Sequence, residues 1–313
     1  MLAYIARRLL STLPVMGLVA LVVFAILRLT PGDPAAIIAG DEATSAQVDQ
    51  IRQNMGLDKP IYLQFFVWIG MLLRGDLGVS LLSGTPVLGM IADRCGPSLA
   101  LGISTIIVTV IVAVPLGVIA AKRQGKLLDR AVMTFSVFGF YVPSFVISYL
   151  LIYLFSIELG WFPVQGYKPL ADGFWPFAQR LVLPTLALSV VYIALIARIT
   201  RSSIIEVMGE DYIRTARAKG AKEKTVLMRH ALRNAAVPII TIIGIGIASL
   251  ISGVVVTESV FNLPGLGRLI VEAVLARDYP VIQALILLFS FTYILINLLI
   301  DVLYTLFDPR IRY

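Results

Sequence analysis

Histidine and cysteine are all but missing from this chain: His230 and Cys95 stand alone among 313 residues. A metal centre built on imidazole and thiolate needs several such ligands, and a thiol nucleophile needs an imidazole beside it, so both chemistries are excluded. A lone cysteine closes no intrachain disulfide, and Cys95 is expected to pack as a small residue at a helix interface. His230, four residues after Val226 on a predicted helix, is expected to pack there as well rather than to switch protons. Charged residues are also scarce, at 14%, where soluble domains carry about 25%. The chain has no G-x-x-x-x-G-K-[ST] loop, so it should not cradle ATP in that manner, and no H-E-x-x-H or G-x-S-x-G motif. No internal repeat with a period of roughly 20–50 residues is found.

What the chain does have is apolar sequence in long runs, 58% of residues in all. A bilayer needs roughly 20 residues of helix, and runs of that order fall at about Leu9–Leu29, Leu99–Ala121, Ala131–Ile157, Leu181–Ala197, Val237–Thr257 and Val281–Phe307. Backbone amides in hydrocarbon must pair within their own segment, so each run is expected to be helical. A barrel would show alternating strands of about ten residues instead. The expected fold is therefore an all-α membrane protein with six transmembrane helices. Lys and Arg set its orientation. Arg7 and Arg8, the Lys122–Arg130 stretch, the stretch Arg198–Arg233, Arg310 and Arg312 all fall on one side. This bias predicts N- and C-termini in the cytoplasm and explains most of the net charge of +7. Basic residues spread over several loops do not point to nucleic acid. The first run is too long for a signal-peptide core and ends at Arg28-Leu-Thr-Pro-Gly-Asp-Pro34 with no small-residue cleavage site, so it reads as a retained helix.

This divides the chain into residues 1–30, with the first helix, an outer segment 31–98, and a five-helix core 99–313 that includes a polar segment 199–236. The outer segment holds an amphipathic stretch, Ser45–Met55, with Thr44 or Ser45 as N-cap and Gly56 as the residue past its end. An aromatic-rich stretch, Ile61–Leu73, suits a membrane interface, and Gly75-Asp76-Leu77-Gly78 suits a tight turn, with loop over 80–86. These features predict a small cap on the outer face. Pro115, Pro143, Pro184 and Pro238 can each kink a span. Gly244, Gly246, Ala248, Ser252 and Gly253 let neighbouring helices approach the fifth span closely.

Polar residues within the spans are costly and mark candidates for a pathway or gate. Asn297 and Asp301 lie four apart on one face of the sixth span, which suits either an ion site or interhelical hydrogen bonding. Glu258 lies at the outer end of the fifth, where interfacial residence would also account for it. A different kind of feature is the polar, strongly basic island from Asp211 to Pro238 between two apolar segments. Asp211 suits a helix start, and Lys219 followed by Gly220 suits a helix end, with Gly220 at positive φ. A second helix is predicted over about Lys222–Leu232, so the chain makes an elbow. Ala216 and Gly220 leave room for close contact, as docking into a groove of a soluble partner requires. A solvated basic face on an orienting loop would give the same periodicity.

The island resembles the coupling motif of importer-type ABC permeases, Glu-Ala-Ala, three residues, Gly, nine residues, Ile, one residue, Leu-Pro. In this chain the triplet falls on Arg214-Thr215-Ala216 and the glycine on Gly220. His230 stands for the isoleucine, Leu232 for the leucine and Arg233 for the proline, so only Ala216, Gly220 and Leu232 match. The likeness to the peptide-permease branch is closer. Pro31-Gly-Asp-Pro34, Gly56-Leu-Asp-Lys-Pro60, Gly75-Asp-Leu-Gly-Val-Ser80, Asp211 to Asn234, Pro264-Gly-Leu-Gly267 and Arg277-Asp-Tyr-Pro280 resemble its signature segments, in order, over nearly the whole chain.

The resemblance implies a type I ABC importer permease fold in a bacterial inner membrane. It implies a non-catalytic subunit for dipeptides, oligopeptides or glutathione, in a family that also takes nickel complexes, opines and sugars. Implied partners are a second homologous permease subunit, two ABC ATPase subunits that bind ATP and Mg, and an extracytoplasmic substrate-binding protein; no cofactor is implied in the chain itself. Coupling to the ATPases would fall on Asp211, Tyr212, Arg214, Thr215, Ala216, Arg217, Lys219 and Gly220. The alternative is an ion- or proton-coupled carrier acting alone, with Asp301 and Glu258 as relay groups.

Overall fold

The computed structural model describes residues 2–29, 34–39, 43–54 and 56–307, with side chains described for these apart from residues 2–9, 27–29, 34, 37, 38, 51, 54 and 303–307. Pro31, Gly32 and Asp33, and the basic pair Arg310 and Arg312, lie outside the described residues. Helices run in the order α1 (Leu2–Leu29), α2 (Pro34–Ala39), α3 (Ser45–Asn54), α4 (Ile61–Leu73), α5 (Val87–Lys122), α6 (Leu127–Tyr141) and α7 (Ser144–Leu151, continued by a π turn to Glu158). Then follow α8 (Phe174–Met208), α9 (Asp211–Ala218), α10 (Glu223–Thr225), a π turn Val226–Ala231, α11 (Leu232–Asn234), α12 (Ala236–Val260), α13 (Leu266–Leu275) and α14 (Tyr279–Phe307). Among the described residues the only strand-like pairing is the isolated bridge Val79–Pro86.

Four of these helices, Val87–Lys122, Phe174–Met208, Ala236–Val260 and the Tyr279–Val302 part of α14, are long and apolar enough to cross a bilayer; α6 with α7 makes a fifth if the bent pair is one span. The 28 residues of α1 reach roughly 42 Å at 1.5 Å per residue. The chain is thus an all-α membrane protein.

The third span, expected over Ala131–Ile157 with Pro143 as a candidate kink, is bent there far more sharply than a kink: α6 and α7 meet at 105°. Val142 is extended (φ −77°, ψ 123°) and Pro143 follows it. Proline clashes with a helical residue before it and offers no N–H to the next turn, so the helix stops there. The other prolines do not break their helices: Pro97 and Pro115 lie inside α5 and Pro184 inside α8. Pro238 sits in the first turn of α12, where its missing N–H has no partner to lose. The fourth span also outgrows its expected Leu181–Ala197 limits, running 35 residues to Met208.

The chain forms two compact units. The first comprises Gly96–Arg268 and the stretch from Leu295 onward, and α8 is its hub. Fifteen α8 residues are buried, among them Leu183, Ala187, Leu188, Ile193, Ile196 and Ala197. Small residues let the other helices close on it. A Cβ at Gly117 of α5 would stand 2.6 Å from the Ala197 carbonyl oxygen, and one at Gly139 of α6 would stand 3.0 Å from the Ala194 Cβ. On α12, Gly253 faces Leu188 and the Tyr192 hydroxyl, while Gly244 faces Ile300 of α14. The small-residue population expected in the fifth span therefore serves helix contact, as predicted.

The second unit comprises Leu2–Cys95 and Leu269–Ile294. Its α3 starts as expected at Thr44, whose N–H and hydroxyl both donate to the Gln47 side-chain oxygen at 2.8 and 2.9 Å. Gly56 closes the far end at φ 64°. Phe65 and Trp68 of α4 pack on Phe24 of α1, with ring centroids 5.3 and 5.6 Å apart, while no α4 side chain is fully buried. The predicted tight turn has Gly75 and Gly78 at φ 79° and 81°, with the Gly78 N–H donating to Asp76. Two of the sequence segments singled out above meet here. Ser80 Oγ donates to Asp278 Oδ2 at 2.5 Å and the Leu81 N–H to Oδ1 at 3.1 Å.

Candidate functional site

The basic island folds as the elbow its sequence predicts. Glu210 is extended (ψ 148°) and opens α9, whose eight residues end at Ala218. Its carbonyls are closed by two reverse bonds: the Gly220 N–H donates to the Arg217 oxygen at 2.9 Å and the Ala221 N–H to the Ala216 oxygen at 3.2 Å. This is the Schellman arrangement, and it requires a left-handed residue past the helix end. Gly220 supplies it at φ 81°. Glu223 then starts the second arm, 223–234, which winds through the π turn into α12. The predicted second helix is present, with that local widening.

One apolar anchor fixes α9. Ile213 is fully buried, together with Val226 and Ala231 of the second arm. Across the turn Arg217 Nε donates to Glu223 Oε1 at 2.8 Å. Arg217 therefore braces the elbow from within instead of standing free for a partner. Asp211, Tyr212, Arg214, Thr215, Lys219 and Gly220 are all exposed, and Ala216 is half-buried. Asp211 and Arg214 pair loosely at 3.3 Å, and the Thr215 hydroxyl returns to the Asp211 carbonyl at 3.1 Å. Partial burial, and then the Glu210 carboxylate, push the Tyr212 phenol above its ordinary range. It stays protonated, a neutral donor at the start of a basic helix. His230 is half-buried between Arg229 and Ala231. Beside the elbow a cavity of about 310 Å³ is lined by the apolar Ile204, Met208 and Leu227 and by the charged Lys122, Arg217 and Glu223.

The elbow stands on a braced base. Asp129, at the start of α6, is buried (3% exposed) and takes a forked contact from Arg201 of α8, with Nε and Nη2 on its two oxygens. The Gly125 N–H also donates to Asp129, at 2.8 Å. A little further along, the Arg198 guanidinium lies 5.9 Å from the Phe140 ring centroid. Sequence reasoning missed Asp129, Arg201, Ile213 and Glu223. Asp129 had one signal, being the only acid in the basic stretch Lys122–Arg130.

The three intramembrane candidates lie on α12 and α14. Glu258 lies at the opposite end of α12 and is fully buried, with Ser98 and the Arg268 N–H on its carboxylate. Asn297 and Asp301 are half-buried on α14, and each has an interaction within the protein. Among the described residues no cluster of His, Cys, Asp and Glu is arranged to hold a metal ion.

Comparison with known proteins places these features in a family. Residues 113–313 match the family described as binding-protein-dependent transport system inner membrane component, and residues 1–102 match its N-terminal companion. A probable peptide ABC transporter permease of Sinorhizobium fredii is 54% identical over 310 residues, covering 99% of both chains. Glutathione transport system permease proteins of Escherichia coli strain CFT073 and of Shigella dysenteriae are 47% and 46% identical over 313 residues, covering 100% of each chain.

Proposed function

The chain belongs to the family of binding-protein-dependent transport inner membrane components, and from that premise we propose that it forms half of the translocation pathway of an ATP-driven peptide importer. It is an ABC transporter permease of the inner membrane. Its cargo is a dipeptide, an oligopeptide or glutathione, a reading supported by what its relatives are named for. The other half of the pathway is a second, homologous permease. Two cytoplasmic ATPases bind and hydrolyse ATP with Mg, and a binding protein delivers cargo to the outer face, where segment 31–98 receives it.

The observation that carries this reading is the elbow. A helix of eight residues anchored by one buried side chain leaves a largely basic face exposed that the fold itself does not use. It has the shape and charge to seat in an acidic groove of a soluble subunit. ATP binding draws the ATPases together, the elbow follows, and α8 and α12, which flank it in the chain, carry the motion into the bundle. The sealing of Glu258 favours this mechanism over a solo carrier, whose relay acid must meet water or the transported ion.

The test is uptake by proteoliposomes holding the chain with its partner permease and ATPases, supplied with binding protein. Dipeptides, longer peptides, glutathione, nickel complexes, opines and sugars are compared. ATP-dependent uptake of peptides or glutathione is expected. Uptake that follows an ion gradient without ATP would reject the reading.

A further inference from the structure

Glu258 sits in a polar knot at the end of α12 away from the elbow. Its Oε1 accepts from Ser98 Oγ at 2.5 Å and its Oε2 from the Arg268 N–H at 2.9 Å. The Ser98 oxygen itself accepts from the Leu266 N–H at 2.8 Å. A backbone amide can only donate, so Ser98 must use a lone pair on Leu266 and spend its proton on Glu258. Both carboxylate oxygens thus face donors whose direction cannot be reversed. The Leu263 N–H adds a bond to the Glu258 carbonyl at 2.9 Å. Space is equally constrained. A Cβ at Gly265 would run into the Glu258 carboxylate, and one at Gly267 would stand 2.6 Å from the Val255 Cα. Three elements are tied by one side chain: α5 through Ser98, α12 through Glu258 itself, and the start of α13 through Leu266 and Arg268.

We propose that Glu258 is a positioning residue for the transport stroke, making the turn Leu263–Arg268 one body with the end of α12 so that movement of the elbow is delivered to that turn. The proposal rests on the importer reading above. Between elbow and knot α12 runs unbroken from Ala236 to Val260, 25 residues or roughly 37 Å. A rod transmits displacement only if its far end is clamped to what it must move. The turn follows Asn262 at φ 51° and enters α13 at Leu266, and the backbone bonds of Leu263 and Gly265 are local. Loss of the carboxylate would remove the acceptor that Ser98 Oγ and the Arg268 N–H now share.

The experiment uses the complete importer in lipid nanodiscs with Glu258→Gln, Ser98→Ala and Ser98→Thr. Glutamine puts an N–H against a donor, alanine removes the relay, and threonine keeps the hydroxyl. Glu258→Gln and Ser98→Ala are expected to assemble and to keep basal ATP hydrolysis. Stimulation of hydrolysis by loaded binding protein, and uptake, should fall by about tenfold, with Ser98→Thr recovering most of both. Stimulation at wild-type level in Glu258→Gln overturns the proposal. So does failure of Ser98→Thr to exceed Ser98→Ala, or loss of assembly in all three, which would leave the knot a folding element only. If the unmodified complex shows no ATP-dependent uptake, it is the importer reading that fails, and the variants need not be consulted.

Discussion

Replacing Gly220 isolates the elbow's conformation from its contacts. At φ 81°, with nothing within 4 Å of where a Cβ would stand, the position has ample room for a side chain and the wrong backbone for one. A non-glycine residue held left-handed costs about 1–2 kcal/mol. The alternatives to the closed elbow lose only the two bonds from Gly220 and Ala221, so that strain converts directly into population. At 1.4 kcal/mol per factor of ten, the closed form should drop about 5- to 30-fold relative to open ones. Uptake driven by ATP should drop by at most that factor, and by less the more the closed form is favoured at the start. Because no neighbour crowds the site, the order of effect should follow backbone preference and not size. Asparagine, which tolerates the left-handed region, should be mildest, alanine intermediate and valine worst. The assay is uptake and binding-protein-stimulated hydrolysis in proteoliposomes, normalised to the amount of chain assembled. The strain lies outside the apolar spans, so assembled amounts should match wild type. Wild-type transport by Gly220→Val would refute the reasoning, and so would Gly220→Asn failing as badly as Gly220→Val.

Ile213→Ala empties a fully buried site and should cost about 2–5 kcal/mol locally, abolishing stimulated hydrolysis while the unstimulated rate of the ATPases persists. Arg217→Ala and Glu223→Ala break a pair that is 39% and 61% exposed; a double-mutant cycle on transport or thermal stability should return about 0.2–1 kcal/mol, and the exchanged pair Arg217→Glu with Glu223→Arg should recover function. Asp129→Asn strips a buried partner from Arg201 and should lower stability by about 3–5 kcal/mol, read as a lower midpoint of thermal aggregation in detergent. Gly117→Ala, whose Cβ would meet the Ala197 carbonyl oxygen at 2.6 Å, should force α5 from α8 and lower that midpoint, whereas Gly102→Ala, with nothing within 4 Å, should leave it unchanged.

The helical bundle was legible because its signals are local. A bilayer demands length and apolarity, both properties of a continuous run, so helices stand near most expected spans. What the sequence did not grade was the size of the break: Pro143 was one of four candidate kinks, and it alone turned its span through 105°. The difference lies in surroundings. Pro184 remains helical within the buried hub of α8, where neighbouring helices hold the chain on both sides of it. At Val142 the chain is extended, and no packing argument read from one sequence distinguishes these outcomes.

The candidate site divides the same way. Gly220, Lys219 and Asp211 announced the elbow because capping is a matter of adjacent residues, and the two reverse bonds at Gly220 close on partners three and five positions back. Ser98 and Glu258 are 160 positions apart, and Asp129 and Arg201 are 72 apart. Neither pair has a periodicity that would bring one member to mind on seeing the other. Glu258 was visible as an acid at the end of a span, and the physical argument then available, that such acids are costly, favoured a role in the pathway. The cost is real, but it is met by a distant hydroxyl, Ser98, and by the backbone N–H of Arg268 ten positions on, which removes the reason to look for water or cargo beside it. An isolated buried acid in a membrane sequence therefore states a demand for donors, and only the fold says whether cargo, solvent or the chain's own backbone supplies them.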